Sequence, residues 1–122
     1  MSIPKPYIKI QEGRVSALLD VVIFKEDGIT FAYAPSLELV GYGHTLAEAQ
    51  NSFENVFQEY LKYGMENRTL DEDLRAHGWK AGQSETFNSP QFLVVLRKNK
   101  RLQDVISMDH KKESKRFNYS FC

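Results

Sequence analysis

The segment from Asp27 to Leu61 constrains the fold more strongly than any other part of the chain. It opens with an Asp-Gly pair between two strand-like runs, which is a strong hairpin signal. It closes with an amphipathic helix whose first turn carries Thr45 and Glu48, the spacing of a capping box. A hairpin followed closely by a capped helix predicts an α+β domain, in which a small antiparallel sheet packs on that helix.

Strand-like sequence flanks the Asp-Gly pair on both sides. Arg14–Phe24 is rich in β-branched residues from Val21 onward and predicts a strand, and Lys25–Gly28 predicts the turn after it. Residues 29–34 alternate large apolar side chains with Thr and Ala, which predicts a strand with one buried face. Pro35 cannot donate to a ladder, so this strand ends there or lies at an edge. Shorter strands are predicted at Tyr7–Ile10, Leu37–Val40 and Phe117–Phe121.

Helical sequence begins at Thr45. We expect the Thr45 hydroxyl to accept a hydrogen bond from the Glu48 amide, and the Glu48 carboxylate to accept one from the Thr45 amide. Gly64 is the predicted end of this helix. Its apolar face consists of Leu46, Ala49, Phe53, Val56, Phe57, Tyr60 and Leu61. The capping-box pattern recurs at Thr69, which predicts a second, short helix that ends at Gly78 with Leu70, Leu74 and Trp79 on its core side.

The sequence after Trp79 allows two interpretations. Ser89 and Pro90 are typical of a helix N-cap and first turn. The apolar residues from 92 to 106 suit one or two helices broken near Asn99, but the run FLVVL at 92–96 also suits a buried strand. Because of the cap we favour helix. The chain is therefore expected to comprise an α+β domain with additional C-terminal helices and a terminal strand.

Charge is divided unevenly along the chain although the formal net charge is zero. Residues 97–116 hold eight basic and three acidic side chains, which gives +5, so the remainder carries −5. With this bias we divide the chain into a domain at residues 1–79 and a basic extension at residues 80–122, packed on the same domain. The basic residues are Arg97, Lys98, Lys100, Arg101, Lys111, Lys112, Lys115 and Arg116.

Three interpretations of this basic segment remain open. It is a candidate nucleic-acid contact, in which case binding is strongly salt-dependent. It is also explained as a solvated face, which is the commoner outcome and the one we favour because aspartates interrupt the run. A third alternative is docking onto an acidic partner, including a second copy of the chain.

The remaining composition points to a cytoplasmic protein. The single cysteine is Cys122, so no disulfide within the chain is possible. The N-terminal residues lack the layout of a signal peptide, and no apolar run approaches the roughly 20 residues that a membrane span requires. We expect a cytosolic, soluble chain.

No arrangement of residues predicts catalysis, a cofactor or a metal site. A nuclease that uses metal ions needs several convergent carboxylates, and the candidates here are Asp20 in a strand and Glu48, whose role as a helix cap already explains it. His44, His77 and His110 are far apart and none has a metal-ligand spacing. The sequence therefore favours a binding module over an enzyme.

The ordered motifs of the central segment are similar to those of one family. The residues concerned are Asp27, Gly28, Tyr33, Ala34, Pro35, Leu37, Gly41, Gly43, Thr45, Glu48 and Ala49. In this order they resemble the HicB-like antitoxin domain, and the likeness extends from about Leu18 to Leu61. His44 stands where the family often has an acidic residue.

The resemblance implies a partial ribonuclease-H-like fold with a β-β-β-α core. It implies binding and neutralisation of a small HicA-type RNA-cleaving toxin, and homodimerisation. Many members also bind operator DNA through a C-terminal helix-turn-helix or ribbon-helix-helix, but residues 80–122 lack two clear consecutive helices with a short glycine turn. The alternative function is a solitary dimeric regulator that binds nucleic acid through its basic C-terminal region, and a nuclease relic is the least favoured.

Overall fold

A computed structural model describes residues 5–121 and shows an α+β fold with a seven-stranded sheet and four helices. The strands are β1 (Tyr7–Gln11), β2 (Arg14–Glu26), β3 (Ile29–Ala34), β4 (Leu39–Gly43), β5 (Lys80–Ala81), β6 (Thr86–Asn88) and β7 (His110–Ser120). The helices are α1 (Leu46–Glu66), α2 (Leu70–Ala76), α3 (Phe92–Lys98) and α4 (Lys100–Ile106). All pairings between the described strands are antiparallel.

Strand β2 is the centre of the sheet because three other strands pair with it. β7 lies along one edge of β2 from Arg14 to Phe24. β1 pairs with residues 14–18 and β3 with residues 22–26, so these two strands share the opposite edge, end to end. β4 extends the sheet beyond β3, and β6 and β5 extend it beyond β1. A strand rich in β-branched residues suits this position, since its front face is buried by α1 and its back face is buried at Val22 and Phe24.

Helices α1 and α2 cover one face of the sheet, here called the front face. The buried side of α1 includes Phe53, Phe57 and Leu61. Phe117 of β7 contacts both phenylalanines, with ring centroids 5.6 and 5.2 Å apart. Trp79, which follows α2, is almost fully buried and donates its indole N–H to the Ser36 carbonyl at 2.9 Å. The main core therefore joins the predicted helix face to the C-terminal strand.

Helices α3 and α4 cover part of the opposite face, the back face. Leu102 and Val105 of α4 are buried against Val22, Phe24 and Tyr33 of the sheet. The favoured helical interpretation of residues 92–106 is thus confirmed, with the break at the predicted residue, Asn99, and no strand at 92–96. Asn99 caps α4 by accepting from the Leu102 amide at 3.0 Å, and its side-chain amide donates to the Tyr33 hydroxyl at 2.8 Å.

Close approach of α1 to β3 and β4 requires residues with small side chains at the contact. Gly41 and Gly43 lie in β4, directly under the first turns of α1. A Cβ added to Gly41 would lie 2.6 Å from the Phe53 Cα and 2.9 Å from the Ala49 carbonyl oxygen. Neither position tolerates a side chain without moving the helix backbone away from the sheet.

Burial in β3 differs from the single buried face that the alternation predicted. The small residues Thr30, Ala32 and Ala34 are the fully buried ones, because α1 lies against them on the front face. Tyr33 is also buried, on the back face, where α4 packs. The alternation is real, but both faces of the strand are covered. The small residues therefore do not face solvent. They face α1, which lies too close to the sheet for larger side chains.

Three strand boundaries also differ from prediction. The terminal strand, predicted at Phe117–Phe121, is β7 and spans His110–Ser120. β4 begins at Leu39 and includes Gly41–Gly43, whereas Leu37 lies in the preceding turn. The predicted four-residue turn is shorter, since Lys25 and Glu26 still pair with β3 and only Asp27 and Gly28 form the turn. Both turn residues have positive φ, at 53° and 78°, as a two-residue hairpin of this kind demands. The strand end before Pro35 is confirmed.

The N-terminus of α1 confirms one half of its predicted cap. The Thr45 hydroxyl accepts from the Glu48 amide at 3.1 Å. The Glu48 carboxylate, however, accepts from the Thr45 hydroxyl at 3.2 Å and not from the Thr45 amide. Gly64 does not end the helix, which continues to Glu66. Its lack of a side chain instead lets Leu70 of α2 approach, since an added Cβ would lie 3.0 Å from the Leu70 Cβ.

Two further predicted caps are wrong in detail. Thr69 stands at the N-cap of α2 but makes no side-chain capping bond, because its backbone is already helical there. Helix α3 begins at Phe92 with Gln91 before it, and the Ser89 hydroxyl donates to the Pro90 carbonyl instead. The end of α2 before Gly78, which has φ of 88°, is as predicted.

We expect Gly41→Ala to destabilise the fold by about 3 kcal/mol, because the added methyl group overlaps helix backbone that cannot rotate away. Gly28→Ala is the comparison, since no atom lies within 4 Å of an added Cβ and only its positive φ is strained. That variant should lose about 1 kcal/mol. Urea unfolding measures both; equal losses would contradict the packing explanation.

Replacing Thr30 with Val should stabilise the protein by about 1 kcal/mol. The Thr30 hydroxyl is buried and has no hydrogen-bond partner among the described residues, whereas Val keeps the shape without the polar atom. Thr30→Ser, which keeps the hydroxyl and removes the methyl group, should destabilise by about 1 kcal/mol. Thermal or urea unfolding compares the pair, and a stability loss in Thr30→Val would argue against an unsatisfied hydroxyl.

Candidate partner-binding groove

Helices α1 and α2 enclose an open groove of about 690 Å³ on the outside of the front layer. Its apolar lining includes Val56, Leu70 and Ala76, and Gly64 lies in it without a side chain. Tyr63 also lines it, and 68 % of the surface of this residue is exposed. An exposed aromatic next to an apolar depression is typical of an anchor for a protein partner.

Carboxylates surround this groove. Glu59 of α1 and Glu72 and Asp73 of α2 line it, and none of its lining residues is basic. Across residues 46–76, seven acidic side chains stand against three basic ones, which gives −4. An apolar floor with a carboxylate rim favours a positively charged partner over an anionic one.

Hydrogen bonds fix α2 in place beside α1. The Tyr60 hydroxyl donates to the Asp73 carboxylate across the groove. The His77 ring donates from Nδ1 to the Asp73 carbonyl at 2.8 Å, and its Nε2 lies 3.7 Å from the Glu38 carboxylate. Burial, together with the Asp73 carboxylate, raises the pKa of Tyr60 well above its usual value. The position of α2 beside α1 is thus fixed by side-chain hydrogen bonds and by the apolar contacts of Leu70 and Leu74.

The predicted basic residues fall into two groups. Those of α3 and α4, namely Arg97, Lys98, Lys100 and Arg101, are exposed around the junction at Asn99. Lys100 forms an ion pair with Asp104 at 3.2 Å. Alternation along β7 separates the other four, because Lys111 and Lys115 share the front face with Phe117 whereas Lys112 and Arg116 lie on the back face. The structure therefore does not bring all eight onto one surface.

The two carboxylates considered for catalysis do not converge. Asp20 lies on the back face, with its carboxylate 3.9 Å from the Lys112 ammonium and within hydrogen-bond distance of the Ser114 hydroxyl. Glu48 lies in the first turn of α1, on the front side. Among residues 5–121, no group of three or more His, Cys, Asp or Glu side chains is placed to hold a metal ion.

The groove was not predicted from the sequence, although a signal for it exists. Tyr60 and Val56 were assigned to the core face of α1, but they form a second stripe with Glu59 and Tyr63 that faces α2. A helix with two adjacent stripes that contain apolar residues can pack on two elements of its own chain, or on one element and a separate binding partner. Which of these applies depends on where α2 lies, and the sequence of α1 does not contain that information.

No protein-family model matches the chain, and neither the curated proteins nor the solved structures include a significant match. Within residues 5–121, no helix is long and apolar enough to cross a membrane.

The fold should lose stability at alkaline pH because of Tyr60 and Tyr119. Burial and the nearby Glu54 raise the pKa of Tyr119 to about 12, and the pKa of Tyr60 is raised further by burial and Asp73. Both folded-state values exceed the unfolded value of about 10. Their contribution is therefore fully present below about pH 10. The part due to Tyr119 is lost as the pH rises through about 12, and the part due to Tyr60 continues to fall above that pH.

Urea unfolding between about pH 8 and pH 11.5 tests this linkage. The double variant Tyr60→Phe/Tyr119→Phe should show a flatter decline than the wild type. Tyr42→Phe, at a largely exposed position, controls for the loss of a phenol. Parallel curves for the wild type and the double variant would show that the two tyrosines do not cause the decline.

Proposed function

We propose that this chain is a non-enzymatic, HicB-like antitoxin-type binding protein that binds a small basic toxin of the HicA type. The observation that carries this proposal is the groove between α1 and α2, with its apolar floor and carboxylate rim. Toxins that cleave RNA must hold a polyanion, so their active surface is positively charged. A carboxylate-rimmed groove complements such a surface and would cover it.

The proposed family also supplies the finer fold assignment, a partial ribonuclease-H-like core. β2, β3, β4 and α1 follow one another in the β-β-β-α order of that core. The residues of the resemblance have scaffold roles here: Gly28 forms the hairpin turn, Gly41 and Gly43 admit α1, and Thr45 caps it. Because these roles concern the fold, the binding residues belong to another surface, and the groove is the one we assign.

Partner binding through the groove combines an aromatic anchor with electrostatic steering. Tyr63 offers a large ring whose surface is mostly exposed before binding, so its burial contributes favourable apolar area. Glu59 and Glu72 on the rim increase the association rate with a basic protein, and this part of the interaction weakens as salt rises. The proposed partner is therefore captured by charge and retained by the apolar contact.

The direct experiment is co-expression with the product of the adjacent reading frame, if that frame encodes a short basic protein. Stable co-purification and suppression of its RNA cleavage would support the proposal. A purified pair that fails to associate at low salt, or a toxin that stays active in the complex, would overturn it.

Charge reversal on the rim should weaken this complex at least tenfold. The test variant is Glu59→Lys/Glu72→Lys, which reverses two rim carboxylates. Its matched control is Glu26→Lys/Asp109→Lys, two exposed acids outside the groove with the same change in net charge.

Tyr63→Ala should also weaken binding at least tenfold while leaving stability nearly unchanged, because its ring is mostly exposed. Calorimetric titration against the purified partner measures all three, and equal affinities for the rim variant and its control would exclude the groove.

A further inference from the structure

Half of the back face has no helix over it in the described chain. α3 and α4 pack at the β3 end of β2, against Val22 and Phe24. At the other end, β1, the first half of β2 and the last part of β7 lie side by side. This uncovered area is here called the bare sheet. Most of it lines a shallow depression of about 650 Å³, and Leu18 and Arg116 lie outside that lining.

The strand registers arrange the bare sheet as a three-by-three lattice. Its rows are Tyr7–Leu18–Arg116, Lys9–Ser16–Asn118 and Gln11–Arg14–Ser120. Consecutive rows are about 6.6 to 6.8 Å apart, because the step from one row to the next covers two residues along each strand. Every row contains one cation. Of the nine residues only Leu18 is aliphatic, and it is buried.

The three cations are not neutralised by neighbouring carboxylates. Lys9, Arg14 and Arg116 form no ion pair with a carboxylate of residues 5–121. Glu12, in the turn between β1 and β2, is the one acidic residue among those that line the depression. Asp20, one row further along β2, lies 3.9 Å from the Lys112 ammonium. The bare sheet is therefore a positively charged surface on a chain of zero net charge.

We propose that the bare sheet binds a single strand of nucleic acid. The cations at successive rows provide contacts for successive phosphates along an extended backbone. Tyr7, half-buried with its hydroxyl 3.4 Å from that of Ser16, offers a ring for base stacking. Gln11, Ser16 and Asn118 supply donors and acceptors for base edges and sugar. Because the exposed residues are polar, the surface does not suit an apolar protein face or the interior of a membrane.

A duplex fits this surface less well than a single strand. Base pairing and stacking in a duplex hide the faces of the bases from Tyr7, so a duplex loses the stacking contact that a single strand can make. This site is also separate from the α1–α2 groove, which lies on the front side. The proposal therefore does not depend on the proposed toxin partner, and one can fail while the other holds.

The experiment is fluorescence anisotropy of labelled oligouridylate and oligothymidylate strands of about 12 nucleotides. Binding should tighten at low salt, with a slope of log K against log salt of about −2, since three cations contribute about 0.7 each on single strands. Lys9→Gln/Arg14→Gln/Arg116→Gln should weaken binding at least tenfold. Lys25→Gln/Lys62→Gln/Arg68→Gln, which removes three exposed cations elsewhere, should leave it nearly unchanged.

Several outcomes would overturn the proposal. They are no binding at low salt, equal loss in the test and control variants, tighter binding of the matching duplex, and equally tight binding of polyglutamate. Self-association at the same protein concentration that disappears in the test variant, without strand binding, would assign the surface to a second copy instead. Circular dichroism checks that each variant is folded, and if the triple variant is not, each single variant should still reduce the salt slope by about 0.7.

Discussion

The close contact between α1 and strands β3 and β4 is the constraint on which the remaining structure depends. Residues with no side chain or a single methyl group meet there, among them Gly41, Gly43, Ala32 and Ala49. Because the helix lies so close, its aromatic residues reach across the sheet to Phe117 on β7. A larger residue at the contact would lift α1 and open the core that β7 completes, so packing at one end of the sheet is linked to packing at the other.

Strand β2 belongs to two hairpins, with β1 and with β3, and so joins them into one sheet. Its two tight turns, at residues 12–13 and 27–28, fold β1 and β3 back onto the same edge. The opposite edge then stays free until β7, about ninety residues later in the chain, pairs along eleven consecutive positions. Such long-range pairing is slow to form because a large loop must close first. Its stability comes from Phe117 and Tyr119, which join the front core.

Charge in this molecule follows the layers of the fold. The helical layer on the front carries −4 over residues 46–76, and its groove has a carboxylate rim. The bare sheet on the back carries three cations and faces the opposite way. A neutral chain thus presents two surfaces of opposite sign, separated by the sheet. Surfaces of opposite sign favour partners of different chemistry, and the formal net charge of zero conceals both surfaces.

Sequence alone determined the elements that depend on neighbouring residues. The Asp27–Gly28 turn, the strand end at Pro35, the Thr45 cap and the helix break at Asn99 all follow from local backbone chemistry, and all are present. The errors lie where local signals compete with packing. Gly64 was predicted to end α1, but it lies within the helix and leaves room for Leu70 of α2. The small residues of β3 are buried because α1 covers them.

The proposed binding surfaces were decided only by the tertiary structure. Alternation was visible only at Phe117–Phe121, whereas β7 spans His110–Ser120, and its partner could not be read from the sequence. That pairing sends Arg116 to the back face beside Arg14 and Lys9, residues that are distant in the chain. The groove likewise needs α2 to lie against the second stripe of α1. Local chemistry specifies turns and caps, whereas a surface assembled from separate segments exists only after those segments pack.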